Sequence, residues 1–280
     1  MAILLGLGAA LSYGCADFIG GLVSRRATIT SVVFCSQIAG LVVLLATLPF
    51  FLDANLTGEA ILWGGASGIV GACGISLLYR GLALGRMGVV APITSVGAAT
   101  IPLLFGLLSG EEPPVLSLVG AAIALCSIAL VSMGAPHAEA SGNPSVAGIP
   151  HAIGAGISFG MFFILIQAAG DDTGLWPIVS ARVASLVAVA LLGLVLRRAL
   201  IPARDTAAAV IWSGALDVSA NILYLLAARQ GLISLAAVLT SMYPVITAGL
   251  ARVVLNERLG HVQIAGLVSA AVGVSLIAAT

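Results

Sequence analysis

Apolar residues along this chain neither alternate with polar ones nor keep to one helical face. They run on for about twenty positions at a time, separated by short polar breaks. Twenty residues at 1.5 Å each cover the roughly 30 Å hydrocarbon core of a bilayer, so each run predicts a membrane-spanning helix. Ten runs are found, near 2–22, 29–52, 60–80, 88–109, 115–133, 148–169, 176–196, 207–228, 233–254 and 261–279. The run that opens at Ala2 has no basic leader and passes straight into further spans. It is expected to be a retained helix and not a signal peptide. One polar connector is long, "GAPHAEASGNPSVAG", Gly134 to Gly148, and its Gly, Pro and Ser content predicts a surface linker. The expected organisation is a five-helix half over 1–133, a linker over 134–147 and a second five-helix half over 148–280.

The two halves match at a constant offset of 146 residues. "GAALSYG" (Gly8–Gly14) lies over "GAGISFG" (Gly154–Gly160), Ser67-Gly68 over Ser213-Gly214, and Thr94-Ser95 over Thr240-Ser241. Further along, Glu111 lies over Glu257 and Gly120 over Gly266. An ungapped register of this extent predicts an internal duplication. Five helices is an odd number, so the second half must enter the membrane from the opposite side. The expected fold class is an all-α polytopic membrane protein with ten transmembrane helices as two inverted five-helix repeats.

Loop charge orients this arrangement. Arg25, Arg26, Arg80, Arg86, Arg197, Arg198, Arg204, Arg252 and Arg258 fall at loops or helix ends of one face. Arg229 falls on the other face, with Asp53, Glu59, Glu111, Glu112, Asp171 and Asp172. The Arg-rich face is expected to be cytoplasmic, which places both termini outside a bacterial inner membrane.

Composition narrows the classes. The chain is 60% hydrophobic and 8% charged, against about a quarter charged in soluble domains. Net charge is zero, which gives no electrostatic reason to expect nucleic acid as a partner. The four cysteines stand singly in apolar runs, so neither a metal nor a disulfide framework is expected. No P-loop, HExxH or dinucleotide fingerprint occurs, and no cofactor is expected. "GISFG", Gly156 to Gly160, has the nucleophile-elbow spacing but sits in a predicted membrane helix without the strand–turn–helix context that chemistry needs.

The candidate chemistry concentrates in the eighth span. Ser213, Asp217, Asn221 and Tyr224 fall at i, i+4, i+8 and i+11, one face of a helix, with Asp217 near mid-membrane. A charge at that depth costs at least about 2.5–3.5 kcal/mol, so it persists where a cavity, a partner or water receives it. The stripe is read as lining a transport path, with Asp217 exchanging protons or holding an ammonium. The alternative is a buried acid paired with Arg purely to fix packing. Arg182 in the seventh span can pair with Asp217, anchor a substrate anion, or snorkel to the surface. Asp17, with Tyr13 one turn before it, is a second intramembrane acid nearer a helix end. Gln37 and Gln167 each fit either an interhelical hydrogen bond or a site. Pro92, Pro102 and Pro244 each remove a backbone hydrogen bond within a span and are read as hinges or static kinks. Small-residue ridges at Gly120, Ala124 and Ser127, and at Gly266, Ala270 and Gly273, predict close packing within a monomer or, alternatively, a homodimer.

Two five-helix halves, each ending in a helix–Glu–helix unit, resemble the EamA-type transporters of the drug/metabolite transporter superfamily. The second half carries "TSMYPVITAGLARVVLNERLGHVQIAGLVSAAVGV", with Pro244, Glu257, Gly266 and Gly273. The first repeats it as "VVAPITSVGAATIPLLFGLLSGEEPPVLSLVGAAIAL", with Glu111 and Gly120, but with Ala98 at the position of Pro244. The resemblance implies transport, often outward, of a small polar metabolite such as an amino acid, by alternating access and without enzymatic chemistry. It implies a small-molecule substrate, a lipid surround and either protons or the substrate's own gradient as the driver. A passive facilitator is the alternative, and an intramembrane enzyme a remote one. Glu111 and Glu257 are expected to tie the helical hairpins in which they sit.

Overall fold

The computed structural model describes residues 1–24, 27–51, 55–84, 87–133, 148–254 and 260–279. Eleven α-helices are described: α1 (Ala2–Ser24), α2 (Ile29–Thr47), α3 (Gly58–Leu84), α4 (Met87–Leu108), α5 (Val115–Met133), α6 (Gly148–Gln167), α7 (Trp176–Val195), α8 (Ala207–Gln230), α9 (Ile233–Thr240), α10 (Tyr243–Val254) and α11 (His261–Ala278). Short 3-10 turns lie at Leu48–Phe51, Asp171–Thr173 and Arg204–Thr206, and no strand occurs among the described residues. Helix is the one open structure that satisfies its own backbone groups in lipid, which is why long apolar runs take it.

Among the described residues seven helices, α1, α2, α3, α6, α7, α8 and α11, are long and apolar enough to cross a membrane. Shorter apolar stretches cover Ile93–Leu108, Val115–Val131 and Ile233–Thr247. Large apolar side chains face outward around the bundle: Leu4, Val42, Leu62, Val187, Leu191, Trp212 and Val268 are all exposed. An outer surface of this kind belongs in a hydrocarbon medium, not water.

The ninth expected span differs from its prediction. The run at 233–254 is two helices, broken at Ser241–Met242, with Pro244 the second residue of α10. Proline cannot donate to the carbonyl four residues back, which here belongs to Thr240, the last residue of α9. Its counterpart at the 146-residue offset, α4, runs unbroken through Pro92 and Pro102 and carries Ala98 at the position of Pro244. Of the three candidate hinges, Pro244 alone coincides with a break.

Packing partners exchange between the halves. α1 lies along α8 and α6 along α3; α2 contacts α8 and α7 contacts α3. Glycines make these seams. A Cβ on Gly214 would run into the backbone of Ser36, and one on Gly68 into the backbone of Ala181. The small-residue ridges of α5 and α11 face each other: a Cβ on Gly120 would lie 2.7 Å from the Gly273 carbonyl oxygen, and one on Gly273 2.8 Å from that of Gly120. These faces are therefore occupied within the chain.

α4 ends in a Schellman turn. Gly110 has φ 91°, the Gly110 N–H donates to Leu107 and the Glu111 N–H donates to Gly106. This turn delivers Glu111 to α9, where its two carboxylate oxygens accept the Ile233 N–H at 2.8 Å and the Ser234 N–H at 3.2 Å. Glu111 thus caps a helix in the other half, where the positive end of the helix dipole favours it. It does so in place of the expected tie within its own hairpin. Glu257 lies outside the described residues.

Candidate functional site

The bundle holds a cavity of about 120 Å³ that is partly open to the outside. Its polar lining comes from α1 (Tyr13, Asp17), α2 (Gln37), α7 (Arg182, Ser185), α8 (Asp217, Asn221) and α10 (Tyr243). Its apolar lining comes chiefly from α3 (Gly71, Ile75) and α6 (Phe159, Phe162, Phe163).

Arg182 organises the polar side. Its guanidinium donates to Asp217 Oδ2 in a close ion pair and to Gln37 Oε1 at 2.6 Å. The Arg182 side chain is 6% exposed and that of Asp217 34%, so the pair sits at the cavity edge with the acid on the open side. Of the three roles open to Arg182 in the sequence, the structure shows the ion pair. Gln37 is the third member, connecting α2 to α7. Asn221 stands one turn beyond Asp217, donates from Nδ2 to the Asp217 carbonyl at 2.7 Å, and accepts the Tyr13 hydroxyl at 3.0 Å. The Tyr13 and Tyr243 rings are 6.1 Å apart, and the Tyr243 hydroxyl accepts the Ser95 hydroxyl of α4 at 2.8 Å.

Asp17 differs from Asp217. It also lines the cavity, but among the described residues no hydrogen bond or ion pair reaches its carboxylate. It is exposed, whereas Arg182 and Asn221 are buried.

Two members of the eighth-helix stripe are not on the lining. Ser213 is buried and donates to the Ala16 carbonyl at 3.0 Å, pinning α8 to α1. Tyr224 is fully buried, donates to the Phe163 carbonyl at 3.0 Å and packs its ring 4.3 Å from that of Phe163. Both hold the wall in place from behind. The phenylalanines of α6 were not singled out by sequence. Their signal was available in the repeat register, which puts Phe159 over Tyr13 and Phe163 over Asp17.

The EamA-like transporter family matches the chain twice, over residues 1–133 and 146–279. The chain belongs to the EamA-like transporter family. A solved structure titled only "Crystal structure of protein" superposes on this EamA-like chain with a TM-score of 0.80 at 16% identity, over 99% of this chain and 98% of that one. That likeness shows a shared fold. No curated protein matches the chain. Family and outward-facing apolar helices together make this EamA-like chain a multi-pass membrane transporter protein.

Proposed function

We propose that this chain is a secondary active transporter that exports a small polar metabolite by alternating access, with the central cavity as its substrate site. One observation carries the reading: a charged, hydrogen-bonded cavity lies inside a bundle whose outer surface is apolar. Intramembrane charges are costly, and those that line a cavity mark solute and ion pathways. Asp17, Asp217, Arg182, Asn221 and Tyr13 would line the path. Protons or the substrate's own gradient would drive it.

The exchange of packing partners between halves and the family match to each half support two inverted five-helix repeats. In such a construction the two halves rock about a site near the bilayer midplane. The break before Pro244 is the natural flexure in the second half. The Arg-rich loops support a cytoplasmic linker face and extracytoplasmic termini in a bacterial inner membrane.

Counterflow in proteoliposomes tests this. Purified protein is reconstituted with candidate metabolites inside, and uptake of the labelled compound is followed. Transient accumulation above equilibrium is the expected result. Flux without counterflow would identify a passive facilitator, and no flux with any small solute would remove the transport reading.

A further inference from the structure

The two halves give the cavity opposite chemistry at equivalent positions. Tyr13 and Asp17 on α1 correspond at the 146-residue offset to Phe159 and Phe163 on α6. Asp217 and Asn221 on α8 correspond to Gly71 and Ile75 on α3. All eight residues line the cavity. Because α1 packs on α8 and α3 on α6, the four polar residues form one wall and their four apolar counterparts the other.

Among the described residues the charges on the lining are Asp17, Asp217 and Arg182. Arg182 is engaged with Asp217 and Gln37, so its charge is matched. Among the described residues one negative charge remains in excess, and it sits on Asp17, which has no partner among them. An anion entering this space meets a carboxylate, and the guanidinium that would receive it already holds one. A cation meets the Asp17 carboxylate beside the rings of Tyr13 and Tyr243, whose faces also attract positive charge. Its uncharged remainder faces Gly71, Ile75, Phe159 and Phe162 across the cavity.

We infer that the site selects a monovalent organic cation with an apolar body, its ammonium on Asp17 and its body against the α3–α6 wall. This deepens the transport reading and rests on it for the claim that the bound molecule is cargo. The removal of Arg182 from anion recognition is what separates a cation from a zwitterion or an anion of the same size. Gly71 makes room: a Cβ there would stand 3.1 Å from the Phe162 ring.

The test uses three probes of one shape and different charge: 2-phenylethylammonium, phenylalanine and 3-phenylpropionate. Binding to the detergent-solubilised full chain is measured by calorimetry at constant ionic strength near neutral pH. The ammonium is expected to bind at least about tenfold tighter than phenylalanine, with phenylpropionate weakest. Asp17→Asn is expected to remove the preference while the protein stays monodisperse. Equal or tighter binding of phenylalanine or phenylpropionate, or no ammonium binding up to about 10 mM, overturns the inference. The ranking on the unsubstituted chain decides the matter even where Asp17→Asn fails to fold. No gradient is present in this measurement, so the ranking stands or falls apart from counterflow. Failed counterflow with the ranking intact removes transport and leaves the cation site.

Discussion

The α1–α8 wall and the α3–α6 wall share one packing plan and differ in chemistry. Gly214 lets α8 approach α2 at Ser36, and Gly68 lets α3 approach α7 at Ala181. One turn beyond each glycine the plans part: Asp217 and Asn221 on one side, Gly71 and Ile75 on the other. The fold therefore asks for glycine at both places and for an acid at neither. What the duplication holds constant is the seam, and what it lets vary is the surface facing the cavity. Such a difference between equivalent positions is better evidence of function than a buried acid alone, because the counterpart shows the same backbone stable without it.

Separating the polar wall's internal pair breaks the comparison most forcefully. Asp217→Ala strands the Arg182 guanidinium at 6% exposure. Removing one partner of a buried pair costs about 3–5 kcal/mol; the cavity-facing side of Asp217 places this one near about 3 kcal/mol. Unfolding in mild detergent should show that loss, together with loss of flux. Replacing both partners, Arg182→Met with Asp217→Leu, should recover most of the stability and none of the transport. A double variant as unstable as the single one would show that the pair is not what the wall depends on.

The shared plan has its own test. Gly68→Ala and Gly214→Ala each force a methyl against a neighbouring backbone. Each should cost about 1–3 kcal/mol, within about 1 kcal/mol of the other. Unfolding of the two variants side by side measures this. A much smaller cost at one position would mean that the two seams are not equivalent, and that the walls differ in packing as well as chemistry.

How much of this was legible in the sequence depends on what each signal encodes. Long apolar runs located the helices because a bilayer demands them, and the register located the equivalent seams. The break in the ninth run was not legible. Pro244 marked the region, yet α4 carries two prolines and stays continuous. The outcome depends on what surrounds the freed carbonyl, which a single sequence does not display. The eighth-helix stripe shows a similar limit. Helical spacing puts Ser213, Asp217, Asn221 and Tyr224 on one face, but that face is wider than the cavity. Ser213 precedes Gly214, where α8 meets its neighbours most closely, so it falls in a seam. Tyr224 lies beyond the cavity against Phe163. Glu111 belongs to the same class: its position after a helix end was readable, but its target, the α9 N-terminus, is 122 residues away in sequence.

Asp17 sharpens the comparison without disturbing the fold. Among the described residues it has no partner to strand, so Asp17→Asn should change stability by less than about 1 kcal/mol. Flux should nonetheless fall at least about tenfold, a loss of about 1.4 kcal/mol in transition-state stabilisation. Asp17→Phe goes further, giving the polar wall the residue that its counterpart carries at 163. Proteoliposome flux and unfolding on the same preparations separate these effects. Normal flux in Asp17→Asn would return the working role to Asp217.

The smallest change tests whether the polar wall acts as a unit. Tyr13→Phe makes position 13 match its counterpart Phe159 by deleting one oxygen. The hydroxyl donates to Asn221 Oδ1 at 3.0 Å, and Asn221 in turn donates to the Asp217 carbonyl. Deleting one such bond is worth about 1 kcal/mol, or roughly a fivefold weakening of cation binding if the network sets the shape of the site. Asp17 is one turn from Tyr13 on the same face of α1, so the ring that remains still flanks the carboxylate. Unchanged affinity in Tyr13→Phe would mean that Asp17 works alone and that the Tyr13–Asn221–Asp217 chain serves α1–α8 packing. A loss larger than that of Asp17→Asn would make the hydroxyl itself a ligand contact. The expected fivefold result lies between, and it assigns the network to positioning and the carboxylate to binding.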